Sequence, residues 1–361
     1  MRKKIAVIIG ILIVLFFGKV LFEAVKLTPV LFQYFFQKEI SLKKTDDRVN
    51  ILLLGIGGGR HDGPLLTDTI IYASIDPKTN KITLVSLPRD LWIPEFKAKI
   101  NTAYATGEAK QKDGGLILAK AIVEKILNQP VDYAIRVDFN GFVRAIDMVG
   151  GLDITIERSF EDFEYPISGK EVDTCGYTDE EFEKRATASS LLEAFPCRYE
   201  HISFQKGMEH MNGERALRFV RSRHAEGVEG TDFARSERQE KVIEAFKNKI
   251  FSVGTFLNPT RILSLYDVFK DSIHTDIVQL EYDDFIKLAQ KMEKATIKSV
   301  VFYYTENADK ESGFLINPPV DAAYNNQWVV IPRLGAGVYT EIQSYVVCQI
   351  EGKGCKKETA N

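Results

Sequence analysis

Five arginines and no lysine fall between Arg218 and Gln239, in the stretch RFVRSRHAEGVEGTDFARSERQ. A guanidinium is a planar fork that grips two phosphate oxygens at once, whereas an ammonium is a hydrated point charge. The selection of arginine therefore suggests an anion site with defined geometry. Arg221 and Arg223 follow a helix-like run, Gly213 to Phe219, and in an extended segment residues two apart point the same way. Arg235, Gln239, Val242, Phe246 and Ile250 then recur at helical spacing, which sets a cation and an amide on the same stripe as three apolar residues. Polar groups on a core-facing stripe need partners, and a ligand phosphate is one. Ion pairs with Glu226, Glu229 and Glu237 on a solvated helix would satisfy the arginines as well.

Further candidates lie upstream. The run Asn50 to Ile56 (NILLLGI) reads as a buried strand that enters a turn at Gly57, Gly58 and Gly59. No Gly-Lys-Ser/Thr follows, so this is not a nucleotide-binding P-loop. The chain continues through HDGPLLTD into a second strand, Thr69 to Ile75, and a third, Lys81 to Leu87, which ends in Pro88-Arg89-Asp90. Asp62, Asp68 and Arg89 thus flank strand ends, where ligands collect in α/β sheets. Two carboxylates and a cation there could meet a metal ion and a phosphate.

The elements that must position these groups alternate in type. Helical patterns at Thr102 to Ala109 and Gly115 to Asn128, a strand at Val131 to Val137, a helix at Gly141 to Met148 and a strand at Leu152 to Ile156 predict an α/β fold. Residues 160–200 break that rhythm with acidic, aromatic and polar residues and read as an insertion. Helices are expected again at Asn212 to Phe219, Phe233 to Phe251, Pro259 to Lys270 and Tyr282 to Lys294, then a strand at Ile297 to Tyr303. Beyond Tyr304 lies a Pro/Gly/Asn-rich extension with one strand pattern, Gln343 to Gln349.

Composition bounds the class. Of 361 residues, 27% are charged and 45% hydrophobic, which suits a globular body. A net charge of −3 leaves no broad basic face for nucleic acid, so the arginines read as a local pocket. Ile5 to Phe22 is nearly unbroken apolar sequence behind Arg2, Lys3 and Lys4, long enough to span a bilayer. The basic flank orients the amino terminus to the cytoplasm and the main domain outside. A cleaved signal peptide is the rival reading, but no small-x-small site follows. The expected layout is a cytoplasmic tail (1–4), an anchor (5–22), a linker (23–48), the main domain (49–303) and the extension (304–361). In an exported chain, Cys175, Cys197, Cys348 and Cys355 read as disulfides. Three connectivities are open, of which the local pairs Cys175–Cys197 and Cys348–Cys355 are preferred.

The segments NILLLGI, LTDTI, SLPRD, KINTAY, GFVRAIDMVGGLDI, MNGERALRFVRSR and DFARSERQ, in this order, resemble the LytR-CpsA-Psr family of cell-envelope proteins, over roughly Asn50 to Phe251 and onward to Tyr303. The resemblance implies an α/β/α sandwich around a mixed sheet, with an apolar pocket for a polyprenyl chain and a magnesium-dependent site at its mouth. It implies a membrane-anchored extracytoplasmic phosphotransferase that moves a glycopolymer, such as a teichoic acid or capsule, from an undecaprenyl-pyrophosphate carrier to peptidoglycan. Carried onto this sequence, Asp68 resembles a metal ligand, Arg89, Arg221 and Arg223 catalytic and pyrophosphate-binding arginines, and Arg235 and Gln239 the other pyrophosphate contacts. The chain departs from the family at Gly57, where an aspartate is usual, and at Leu66, where an arginine is common. Asp62 is the candidate substitute as second metal ligand. Asp232 and Asp90 are candidates for the general base that deprotonates an acceptor hydroxyl, and each is equally readable as an ion-pair partner. Two other functions fit the same residues: a non-catalytic binder of lipid-linked pyrophosphates, and a pyrophosphatase.

Overall fold

The computed structural model describes residues 39–59, 63–188, 190–252, 272–302, 304–305 and 313–352. The expected anchor (5–22), the helix expected at Pro259 to Lys270, and Asp62 lie outside them. Among the described residues, no helix is long and apolar enough to cross a membrane.

The chain begins with β1 (Val49–Ile56), β2 (Thr67–Asp76) and β3 (Lys81–Ser86), then short strands β4 (Trp92–Ile93) and β5 (Ala98–Lys99) and helices α1 (Ala103–Lys110) and α2 (Gly114–Leu127). There follow β6 (Tyr133–Asp138), α3 (Phe139–Met148), β7 (Leu152–Ile156) and β8 (Phe160–Pro166). Two short helices, α4 (Asp179–Arg185) and α5 (Leu191–Ala194), precede β9 (Tyr199–Phe204) and β10 (Gly207–Met211). Next come α6 (Gly213–Arg221), α7 (Asp232–Ser252), β11 (Ile273–Thr275), α8 (Tyr282–Lys291) and β12 (Thr296–Val301). The chain closes with β13 (Tyr304–Thr305), β14 (Leu315–Ile316), β15 (Ile331–Pro332) and α9 (Thr340–Glu351).

Six strands form the central sheet in the order β11-β6-β1-β2-β3-β12. It is mixed: β1 runs parallel to β6 and β3 parallel to β12, while β2 is antiparallel to both its neighbours. Continuous apolar runs such as Ile51 to Leu54 are what a sheet covered on both faces requires. Alternation distributes them. Leu52 and Leu54 join Ile70, Tyr72 and Val85 in a core capped by α1, α2 and α9. Ile51 and Leu53 join Ile71, Ala73 and Leu84 on the opposite face, under α8 and Ile243 of α7. A second core lies beyond that face, where α3, α6 and α7 pack with β7 to β10.

Two expectations change. The pattern at Gln343 to Gln349 is not a strand but the middle of α9, where Ile342 and Val346 are buried four residues apart while Tyr345 and Ile350 pack alongside. Its period is helical, and α9 buries that stripe in the core shared with α2. The 160–200 segment is a hairpin, β8 paired with β9, whose long connection carries the Cys175–Cys197 disulfide. Cys348 is also disulfide-bonded, and Cys355, its expected partner, lies outside the described residues.

Candidate functional site

Between the sheet and helices α3, α6 and α7 lies a cavity of about 700 Å³. Its floor is the odd face of three strands, with Leu53 of β1, Ile71 of β2, and Ile135 and Val137 of β6. Its walls are Phe142 and Ile146 of α3, Leu217 and Val220 of α6, and Val242 and Phe246 of α7. Asp138 caps α3, accepting from the Gly141 N–H at 2.8 Å, so this wall starts where β6 ends. Gly213 lets α6 approach α3, because a β-carbon there would lie 2.2 Å from the Val143 carbonyl oxygen.

Polar residues line the same cavity. Asp68, Arg89, Asn101, Arg221, Arg223, Arg235 and Gln239 all line it, so two halves of the sequence more than a hundred residues apart meet there. Asp68 reaches the cavity through a β-bulge. Gly55 pairs with Thr69 but Ile56 with Thr67, which leaves Asp68 as the extra residue. Asp68 and Thr69 both line the cavity, which strict alternation would forbid. Gly57 and Leu66 line it too, so the two departures from the family pattern fall at the site itself.

Arg89 donates to Asp68 through Nη1 and to Asp90 through Nε at 3.3 Å. Burial opposes its charge, but the two carboxylates outweigh that and hold the guanidinium above its usual range. Asp90 is only 6% exposed. Burial works against its charge as well, yet the Lys99 ammonium at 2.8 Å, Arg89 and, farther off, Arg223 keep its carboxyl below the usual carboxylate range. With both oxygens engaged and its basicity depressed, Asp90 is placed to orient Arg89. The side chain of Asp232, at the start of α7, lies outside those described.

The arginine-rich stretch divides by environment. Arg221 ends α6, and Ser222 leaves helical geometry with ψ 130°. The two-residue spacing thus spans a helix end rather than an extended run, and Arg221 and Arg223 still line one cavity. The Arg221 guanidinium lies over the rings of Phe139, at 4.3 Å, and Tyr165, at 5.3 Å, and donates to the Tyr165 hydroxyl at 3.2 Å. Gln239 donates to Thr69 Oγ1 at 3.2 Å, tying α7 to the strand that carries Asp68. Arg218 instead pairs with Glu200 at 3.1 Å near the surface, and Arg238 is 2% exposed within protein contacts.

Sequence reasoning did not find Asp138, Tyr165 or Glu171, all of which border the cavity or its arginines, nor the seat of Phe139 under Arg221. Asp138 and Phe139 sit where a strand passes into a helix, a position the strand-end rule could have flagged. Tyr165 and Glu171 come from the hairpin segment, whose sequence carries no periodic signal.

The structure resembles that of a Streptococcus agalactiae protein, with a TM-score of 0.56 at 22% identity over 86% of this chain and 90% of that one. It also resembles Bacillus subtilis TagV, with a TM-score of 0.53 at 22% identity over 85% of this chain and 99% of the other. At such identities the likeness is one of fold. A relative from Oceanobacillus iheyensis, named polyisoprenyl-teichoic acid–peptidoglycan teichoic acid transferase TagU, is 31% identical over 246 residues. That match covers 67% of this chain and 63% of the relative, so the chain spans less than two thirds of that protein's length. The family model described as LytR_cpsA_psr matches residues 26–324, most of the chain including every cavity-lining arginine. The protein therefore belongs to the LytR_cpsA_psr family.

Proposed function

We propose that the chain is a glycopolymer transferase that takes its substrate as a polyprenyl-pyrophosphate-linked glycan and delivers it to peptidoglycan. The observation that carries this reading is a largely apolar cavity of about 700 Å³ whose lining includes four arginines, Arg89, Arg221, Arg223 and Arg235. A long hydrocarbon suits the walls, and a pyrophosphate suits planar cations that bind oxygens in pairs. The name of the Oceanobacillus iheyensis relative supports the same class of donor and acceptor.

In this reaction an acceptor sugar hydroxyl attacks the phosphorus that bears the glycan. A phosphodiester forms, the P–O–P bond breaks, polyprenyl phosphate leaves with the electron pair, and the acceptor's hydroxyl proton passes to the departing phosphate or to solvent. Arg221, Arg223, Arg235 and Gln239 hold the pyrophosphate oxygens, and Arg89 meets charge that grows on the leaving phosphate. Asp68 and Asp90 keep Arg89 turned toward that point.

Asp68 also fits a divalent cation, because its carboxylate lines the cavity and magnesium needs few protein ligands when phosphate oxygens complete its shell. Magnesium there would neutralise phosphate charge. With glycine at position 57, Asp68 is the family-type carboxylate that the described residues supply; Asp62 is the proposed second ligand. The expected amino-terminal anchor would hold the domain at the outer face of the membrane, where a lipid-linked donor resides.

The test is to incubate the full-length protein with a polyprenyl-pyrophosphate-linked oligosaccharide, magnesium and peptidoglycan fragments, and to follow products by mass spectrometry. A phosphodiester conjugate is expected from the parent and none from Arg221→Ala or Arg223→Ala. Conjugate formation by both variants would remove the arginines from the mechanism. Free phosphorylated sugar would identify a pyrophosphatase, and unchanged bound substrate a non-catalytic binder.

A further inference from the structure

The hairpin that interrupts the α/β rhythm reaches back into the site. Asp162 of β8 is fully buried, at 0% exposure. Its Oδ2 accepts three hydrogen bonds, from the Ser222 hydroxyl at 2.7 Å and from the backbone N–H groups of Arg223 and His224 at 3.1 and 3.2 Å. Its Oδ1 accepts from the Glu164 N–H at 3.0 Å, and an antiparallel bridge joins Asp162 to Ala225. The carbonyl of the same Ser222 accepts from Arg238 Nη2 at 2.7 Å, while Arg238 Nε holds the Phe219 carbonyl at 2.9 Å.

Ser222 is thus fixed by two buried side chains of opposite charge, one from the hairpin and one from α7. It is the residue between the two cavity arginines and the point where α6 ends. A helix end normally leaves unpaired backbone groups and frays. Here the carboxylate takes the N–H groups beyond the last turn and the guanidinium takes carbonyls within it, so the backbone on both sides of Ser222 has a set direction. The hairpin also supplies Tyr165, whose hydroxyl accepts from Arg221 at 3.2 Å.

We infer that Asp162 is a positioning residue for the anion site: it touches no substrate, and it aims Arg223 at the phosphate. The inference rests on the pyrophosphate role proposed above for these arginines. It makes the disulfide-stapled segment a working part of the site rather than a reinforcement of the domain.

A double-mutant cycle on the full-length protein, with geranylgeranyl pyrophosphate as probe and calorimetric titration as readout, tests this directly. Arg223→Ala is expected to weaken binding at least tenfold. Asp162→Asn is expected to weaken it by a similar factor in the parent, yet by less than twofold when Arg223 is already alanine, because its effect passes through that side chain. A general loosening of the fold would instead cost the same factor in both backgrounds, and that additive result overturns the inference. Should Asp162→Asn lose its cooperative melting transition, Ser222→Ala, which removes one of the three donors, replaces it in the cycle. A several-fold loss in the parent and none in Arg223→Ala is then expected, with equal loss in both again the contrary result. If Arg223→Ala binds like the parent, the pyrophosphate reading itself fails and the inference falls with it.

Discussion

Replacing Arg238 by alanine should cost more stability than removing any arginine that lines the cavity. Arg238 makes four hydrogen bonds within the protein: to the Phe219 carbonyl at 2.9 Å, the Ser222 carbonyl at 2.7 Å, and the Glu229 carbonyl and carboxylate at 2.9 and 3.0 Å. Its guanidinium also lies over the Phe160 ring at 4.9 Å. Burial pulls its pKa below the usual arginine value, so its charge is itself costly to hold. Breaking a buried pair by removing one partner costs about 3–5 kcal/mol, and each carbonyl left unsatisfied costs about 1–3 kcal/mol. These terms overlap. Glu229 keeps Arg158 at 2.7 Å as a second partner, which moderates the loss. The expected net loss is about 3–4 kcal/mol, or roughly 5–6 °C in melting temperature at about 2.1 cal/mol/K of unfolding entropy per residue over roughly 300 residues.

Arg221→Ala provides the contrast. It removes one hydrogen bond and a stacking contact with Phe139, worth about 1 kcal/mol together. Urea denaturation followed by circular dichroism at pH 7 separates the two variants. A loss under about 1 kcal/mol for Arg238→Ala, or a larger loss for Arg221→Ala, would show that burial and partner count do not divide these arginines into structural and ligand-facing groups.

Three further outcomes are expected. Asp90→Asn should destabilise by about 1–3 kcal/mol at neutral pH. The folded-state pKa of Asp90 lies below its ordinary value of 3.8, so the stabilisation is full above that value and fades as pH falls through the folded pKa. Urea midpoints of variant and parent should therefore converge in strong acid, and a gap independent of pH would contradict this. Ala145→Phe, which fills the cavity from α3, should weaken binding of a long polyprenyl pyrophosphate at least tenfold while leaving inorganic pyrophosphate within twofold; equal effects on both ligands in titration would remove the lipid from the cavity. Truncation after Tyr324 deletes Val330, whose backbone pairs with Asp90 and Trp92 on either side of Leu91 at 3.1 and 2.9 Å, and removes α9 from the main core. It should abolish the cooperative melting transition, whereas an unchanged transition would make the extension dispensable.

Much of this architecture was legible because local signals and tertiary demands agree. The apolar runs of β1 to β3 and the alternation of elements through β7 match the observed elements within one or two residues, and the stripe from Arg235 to Phe246 does face the cavity. Asp68 and Arg89 could be paired with Arg221 and Arg223 only through the ordered family motifs, because no local pattern links residues so far apart. Other features were out of reach for physical reasons. The apolar residues of α3 and α7 have the same spacing whether they enclose a core or a cavity, since periodicity reports a face and not what covers it. The bulge that turns Asp68 inward is a pairing irregularity between two strands, invisible in either alone. Arg238 and Asp162 resemble surface charges in composition, and their roles arise from burial against partners 16 and about 60 residues away. The late helix α9 was misread because Tyr345-Val346-Val347-Cys348 is a short apolar, partly β-branched run that suits a strand as well as a helix, while the other buried residue of the helical stripe, Ile342, lies just before the pattern.

A transferase and a hydrolase acting on the same pyrophosphate differ in whether an acceptor hydroxyl or water attacks the phosphorus. The most direct measurement runs the reaction in water enriched in oxygen-18, with lipid-linked oligosaccharide and peptidoglycan fragments, and weighs the phosphorylated products. A phosphodiester conjugate without added oxygen-18 is expected from the parent and none from Arg223→Ala. A phosphorylated sugar that carries one oxygen-18, with no conjugate, would show that water is the acceptor and that the chain is a pyrophosphatase rather than a transferase.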